Sequence, residues 1–145
     1  MSGFPQGYFF IKSIKTGKVL DVEGASNKPG EDVVLYHIHK LRSVDNQLWF
    51  YENGYIINKK SNLCLDVKGG HLKEVAKIIQ YQRKLGQEAS NQIWEFQNGF
   101  IFPRANPDLV LDIRGDKDKD DAEIILYKRK QTDNHNQLWE LVPHN

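Results

Sequence analysis

The chain has 145 residues, of which 39% are hydrophobic and 11% aromatic, enough to build one sizeable core in a single domain spanning 1–145. Twenty Lys and Arg against nineteen Asp and Glu leave a net charge of +1, which supplies no field to hold a polyanion or an acidic membrane, so no nucleic-acid partner is expected. The lone cysteine, Cys64, excludes an intramolecular disulfide, and no apolar stretch approaches the roughly 18 residues of a membrane span, so no membrane insertion is expected either.

Along the chain, the start Met1-Ser2-Gly3-Phe4-Pro5 carries neither a basic segment nor a long apolar run, and no Asn-x-Ser/Thr acceptor follows. Cytoplasmic residence, or export by an unconventional route, is the expectation. The first landmark is Gly7-Tyr8-Phe9-Phe10-Ile11, followed by Leu20-Asp21-Val22 and then Asn46-Gln47-Leu48-Trp49. The same order returns as Gly54-Tyr55-Ile56-Ile57, Leu65-Asp66-Val67 and Asn91-Gln92-Ile93-Trp94. It returns again as Gly99-Phe100-Ile101-Phe102, Leu111-Asp112-Ile113 and Asn136-Gln137-Leu138-Trp139. All three tryptophans therefore stand 45 positions apart, and the chain divides into repeats 7–53, 54–98 and 99–145.

Inside each repeat the apolar runs are short, rich in Val, Ile, Tyr and Phe, and separated by turn formers such as Lys15-Thr16-Gly17 and Asn27-Lys28-Pro29-Gly30, which predicts about four short strands per repeat. No segment keeps a 3.6-residue apolar period for long, Leu72 to Ile79 coming nearest. The fold class expected is all-β. Three blades fall short of the four to eight that close a propeller, whereas three four-stranded units close a β-trefoil with pseudo-threefold symmetry.

Alternation in Val33-Val34-Leu35-Tyr36 and Ile124-Ile125-Leu126-Tyr127 places each Tyr on the face opposite Leu, so a core-facing Leu turns the phenol outward. In the second repeat Gln80 takes the Leu position, which either breaks the pattern or signals a register shift. The run Asp116-Lys117-Asp118-Lys119-Asp120 is spaced like the opening of a calcium loop, but Asp121 stands where Gly is needed and Tyr127 where Glu is needed, so it reads as a solvated hairpin tip. His37 and His39 would share one strand face, yet the sequence supplies no remaining ligands, and they read as surface histidines. No metal and no cofactor is expected. Nucleophile-elbow, zinc-protease and phosphate-loop motifs are absent, so the chain is expected to bind and not to catalyse.

The threefold Gln-x-Trp in register with Leu-Asp resembles the ricin-B-type lectin family, in particular the small single-trefoil ricin-like lectins of moulds. The resemblance implies that Trp49, Trp94 and Trp139 fill the core while Gln47, Gln92 and Gln137 bond nearby backbone on the same strand face and belong to the site. It implies three sugar sites: Asp21, Tyr36 and Asn46; Asp66, Tyr81 and Asn91; Asp112, Tyr127 and Asn136. A phenol can stack on the C–H face of a galactopyranose, a carboxylate can accept from O3 and axial O4, and an Asn amide can donate to O3. Galactose- and N-acetylgalactosamine-containing glycans are the implied partners of a non-enzymatic, multivalent lectin with a defence or toxin role, as a monomer or weak homodimer. Taken alone, an Asp at a strand end also suits a turn that bonds its own backbone.

The chain departs from the family pattern at two places. Val34, Ile79 and Ile125 stand where a Gln often precedes the ring, and the usual cysteine partner of Cys64 is Arg83, while Val19 and Ile38 fill the matching places in the first repeat. A trefoil protein-binding module of protease-inhibitor or signalling type, and a xylan-type polysaccharide-binding module, are the rival readings.

Overall fold

The computed structural model describes residues 3–145. Each third of the chain contributes four strands: β1 (Phe9–Ser13), β2 (Val19–Val22), β3 (Val33–Tyr36) and β4 (Trp49–Glu52) in the first. The second contributes β5 (Tyr55–Asn58), β6 (Cys64–Val67), β7 (Ile78–Tyr81) and β8 (Trp94–Gln97), and the third β9 (Phe100–Pro103), β10 (Leu109–Ile113), β11 (Ala122–Lys128) and β12 (Trp139–Pro143). Helical structure among the described residues is confined to short 3-10 turns, and the stretch before Ile78 that came nearest to a helical period is loop.

The pairing closes in a cycle. Antiparallel ladders β4/β5 and β8/β9 join successive thirds, and β12 returns to β1 over the register Phe9↔Pro143 to Ser13↔Trp139. The remaining strands form the hairpins β2/β3, β6/β7 and β10/β11, and these touch one another through Ala122↔Leu35, Asp32↔Ile79 and Lys77↔Ile125. This is a β-trefoil: a barrel capped by three hairpins about a pseudo-threefold axis. Leu20, Leu65 and Leu111 point into a common core with the three tryptophans.

The tryptophans connect barrel and cap. Each is 0–1% exposed, and a buried indole N–H needs an acceptor. Nε1 of Trp49, Trp94 and Trp139 donates to the carbonyls of Leu20 (3.3 Å), Leu65 (3.0 Å) and Leu111 (3.2 Å), each the residue just before the landmark Asp. The Gln of Gln-x-Trp is not on the strand with Trp, as the spacing of two had suggested. Gln47 and Gln137 close a 3-10 turn and Gln92 caps one, and the Trp two positions on begins the strand.

Gln80 does not shift the register: Leu65↔Gln80 matches Leu20↔Leu35 and Leu111↔Leu126. Its side chain is buried and donates to the carbonyls of Ser26 (3.0 Å) and Lys28 (2.9 Å) while accepting from Ser61 Oγ (2.7 Å). A polar residue thus tolerates the core edge because it ties the first repeat's loop onto the second repeat. The acidic run is likewise more than a solvated tip. Asp116 pairs with Lys15 and Asp118 with Lys18 (2.5 Å), which holds the third repeat's loop against the first. Cys64 is buried, and burial pushes its thiol up against the opposing pull of the nearby Arg83. Val19 and Ile38 pack with Phe10 and Leu48, as a substitution of apolar contact for a crosslink requires.

Candidate functional site

The hairpins position the site. In β2/β3, Asp21 pairs with Val34 and Tyr36 with Val19, so Asp21 and Tyr36 are diagonal neighbours on one face. Leu20, Val22 and Leu35 fill the opposite, core-facing side at 0% exposure. The same register brings Asp66 beside Tyr81 and Asp112 beside Tyr127. Between acid and ring lie Val34, Ile79 and Ile125, each 3–5% exposed, apolar where a Gln had been the family expectation, and Ile125 lines the hollow of Asp112. Tyr81 and Tyr127 are 39% and 38% exposed, and Tyr36 is half-buried.

Asp21, Asp66 and Asp112 are buried and braced from behind. The amides of Gln47, Gln92 and Gln137 donate to their Oδ2 atoms at 2.9, 2.8 and 3.0 Å. The second amide hydrogen goes to the carbonyls of His37, Gln82 and Lys128, and Oε1 accepts the backbone N–H of His39, Lys84 and Lys130. Every polar atom of these glutamines is therefore used, at 0% exposure. They hold the carboxylate and the turn after Tyr in place.

The asparagines also face inward. Asn46, Asn91 and Asn136 donate to the carbonyls of Val22, Val67 and Ile113. Asn91 and Asn136 spend their other amide hydrogen on Asp66 Oδ1 (3.1 Å) and Asp112 Oδ1 (3.3 Å), so the expected donation from those amides to a sugar O3 has no hydrogen left to make it. Each carboxylate keeps unused lone pairs, because two oxygens offer about four acceptor positions.

A recurring basic position, of which the sequence reading weighed only the histidine, lies beside each carboxylate. Three residues after each Tyr stands a basic side chain: His39, Lys84 and Lys130. His39 Nε2 lies 3.4 Å from Asp21 Oδ2, Lys84 Nζ 3.9 Å from Asp66 Oδ2, and Lys130 Nζ donates to Asn136 Oδ1 at 3.1 Å. The recurrence of a base at that spacing was the available signal. His39 is not a surface histidine, since its side chain is 6% exposed, its Nδ1 accepts from Arg42 Nε (3.3 Å), and its ring lies 5.4 Å from Tyr36. His37 is the exposed one, stacked on Tyr36 and paired with Asp120 (2.8 Å).

Burial pushes Asp21 up to about 6, against the pull of Gln47, and the neighbouring Asp121 adds to the rise. Asp66 and Asp112 are raised by burial as well, with the bonds from Gln92 and Gln137 and the charges of Lys84 and Lys130 pulling them back. Burial and the adjacent Arg42 hold His39 below the usual imidazole range.

A hollow of about 330 Å³ surrounds Asp21, and one of about 310 Å³ surrounds Asp112, at the small end of ligand pockets. An ionised acceptor, a fixed donor, an aromatic ring and an apolar floor suit a polyol that has one C–H face. Among the described residues no group of three or more His, Cys, Asp or Glu is placed to hold a metal ion.

The sequence pattern of the ricin-type beta-trefoil lectin domain matches residues 7–141. Mucoricin of Rhizopus delemar is 51% identical over 53 residues, which cover 37% of this chain and 35% of that protein; the match spans about a third of that relative's length. Among solved structures, the solution structure of the mdaA-1 domain has a TM-score of 0.86 at 27% identity, covering 98% of this chain and 93% of that one. The C-half of the earthworm R-type lectin in complex with GalNAc has a TM-score of 0.76 at 26% identity, covering 97% of this chain and 100% of that one.

Proposed function

Because the chain belongs to the ricin-type beta-trefoil lectin family, we propose that its three recurrent Asp–Tyr faces each bind a terminal galactose or N-acetylgalactosamine, without chemistry on the sugar. The observation that carries this is the recurrence of one constellation: a braced carboxylate, a Tyr on the same face, and a base three residues beyond the ring. The carboxylate accepts from O3 and axial O4. The base, His39, Lys84 or Lys130, donates to a hydroxyl oxygen between itself and the acid. The phenol of Tyr36, Tyr81 or Tyr127 covers the C–H face. Discrimination follows from the unpaired acceptor: an equatorial O4 leaves the carboxylate without its second hydroxyl, a loss in the range of about 1–3 kcal/mol for a charged acceptor. Binding at three sites of one molecule adds avidity on clustered glycans. That a lectin of like fold is known with GalNAc supports the choice of sugar.

Titration with methyl β-galactoside and its C4 epimer, methyl β-glucoside, tests the reading. Saturable binding of the first and at least tenfold weaker binding of the second is expected. Equal binding of both, or a preference for xylan oligosaccharides, would reject it in favour of a polysaccharide-binding module.

A further inference from the structure

Each Asp–Tyr face has a neighbouring residue that comes from the preceding repeat. Nine positions after each landmark Asp stand Gly30, Val75 and Asp121. All three adopt a left-handed backbone, with φ of 90°, 71° and 69°. Each donates its N–H to the carbonyl just before the Tyr of the next repeat's site: Gly30 to Gln80 (2.7 Å), Val75 to Leu126 (2.8 Å) and Asp121 to Leu35 (2.7 Å). The backbone contact is thus the same at all three sites, while the side chain it presents differs completely. Gly30 offers none beside Tyr81. Asp121 brings a second carboxylate into the hollow of Asp21. Val75 lines the hollow of Asp112 and Tyr127.

Val75 is the informative case. A β-branched residue with positive φ is an outlier that costs free energy, and such strain persists where the surroundings impose it, often at ligand clamps. Gly fills the matching place in the first repeat, so the turn itself does not require Val. Nor is the side chain there for the core, because Val75 remains 43% exposed. It extends the apolar floor of Ile125 outward, beside the ring of Tyr127.

Resting on the galactoside reading, we infer that residues 30, 75 and 121 set the specificity of the following repeat's site, and that Val75 selects sugars with an apolar substituent at the third site. The substituent is an apolar group beyond a glycosidic methyl, either the methyl of an acetamido group or a larger apolar aglycone such as phenyl. The three sites are then unequal in preference although equal in framework.

Site-resolved amide shifts, followed during titration with methyl β-galactoside, methyl N-acetyl-β-galactosaminide and phenyl β-galactoside, provide the test. The third site is expected to bind at least one substituted ligand about fourfold or more better than methyl galactoside, as burial of one methyl-sized group supplies. The second site is expected to show a ratio near one. Val75→Gly, which suits the left-handed backbone, and Val75→Thr, which keeps the shape, should both remove the third-site gain while methyl galactoside still binds. A gain for the acetamido sugar alone assigns that methyl, and a gain for the phenyl glycoside alone assigns the aglycone. Retention of the full ratio in both variants, or no gain at the third site of the unaltered protein, would overturn the inference while leaving the galactoside reading intact. Failure of any galactoside to bind at any site would defeat the underlying reading instead.

Discussion

Gln92 Nε2 lies 2.8 Å from Asp66 Oδ2 and 2.8 Å from the carbonyl oxygen of Gln82, so one buried amide fixes both the Asp66 carboxylate and the chain that follows Tyr81. The same bridge recurs at Gln47 and Gln137. It makes the Gln of Gln-x-Trp a positioning residue, and its consequences can be measured apart from those of the carboxylate.

Gln92→Leu keeps the volume but leaves the carbonyl of Gln82, the N–H of Lys84 and one side of Asp66 without partners. Urea unfolding should show a loss of about 2–4 kcal/mol, since each buried group left unpaired costs roughly 1–3 kcal/mol and some regain water. Galactoside affinity should fall at the second site and stay unchanged at the other two. A loss under about 0.5 kcal/mol, typical of a surface change, would contradict the role.

Trp94→Ala should cost about 3–5 kcal/mol, as for other fully buried aromatic rings, with the carbonyl of Leu65 losing its donor as well. Trp94→Phe should recover most of the packing but not the hydrogen bond. Thermal melting followed by near-ultraviolet circular dichroism would rank the two.

Asp21→Asn separates binding from folding. A carboxylate whose folded pKa is raised to about 6 from 3.8 destabilises the fold when ionised. The favourable contribution is fully present below the unfolded value and is lost as the pH rises through about 6. At neutral pH the neutral isostere should therefore raise stability, by on the order of 1–3 kcal/mol, and remove first-site binding. Differential scanning calorimetry at pH 7 and pH 4.5 checks the sign, because the gain should shrink at the lower pH.

Sugar binding at the first site should fade as the pH falls through about 6, where Asp21 takes up its proton. The second and third sites should hold to lower pH, because Lys84 and Lys130 oppose the effect of burial there. His39→Lys gives the first site the same kind of base and should move its midpoint downward. Site-resolved titrations in matched buffers would show the order of loss, and an unmoved midpoint in His39→Lys would remove that residue from the explanation.

The trefoil was legible because its signals are local and tripled: the landmark order, the buried Trp series, and the alternation that turns Tyr36 and Tyr127 away from Leu35 and Leu126. The carboxylate and ring of each site came from the family resemblance, and alternation spoke only for Tyr36 and Tyr127. What stayed hidden depends on contacts distant in sequence. Asn91 and Asn136 spend their amides on groups 24 or 25 and 23 or 24 residues away, so their donor role could not be settled by residue type. Gln80 looked like a flaw until the loop of Ser26 and Lys28, more than fifty residues earlier, supplied its partners. The basic residue after each ring was visible as a recurrence, but its closeness to the acid is set by the turn that Gln holds.

The most direct test is calorimetric titration of methyl β-galactoside into the protein and into the combined variant Asp21→Asn, Asp66→Asn, Asp112→Asn, at pH 7.5. The unaltered chain should give a saturable binding heat, and the variant none, while its melting temperature is equal or higher. Undiminished galactoside binding by a folded triple variant would contradict the assignment of these carboxylates as the sugar acceptors.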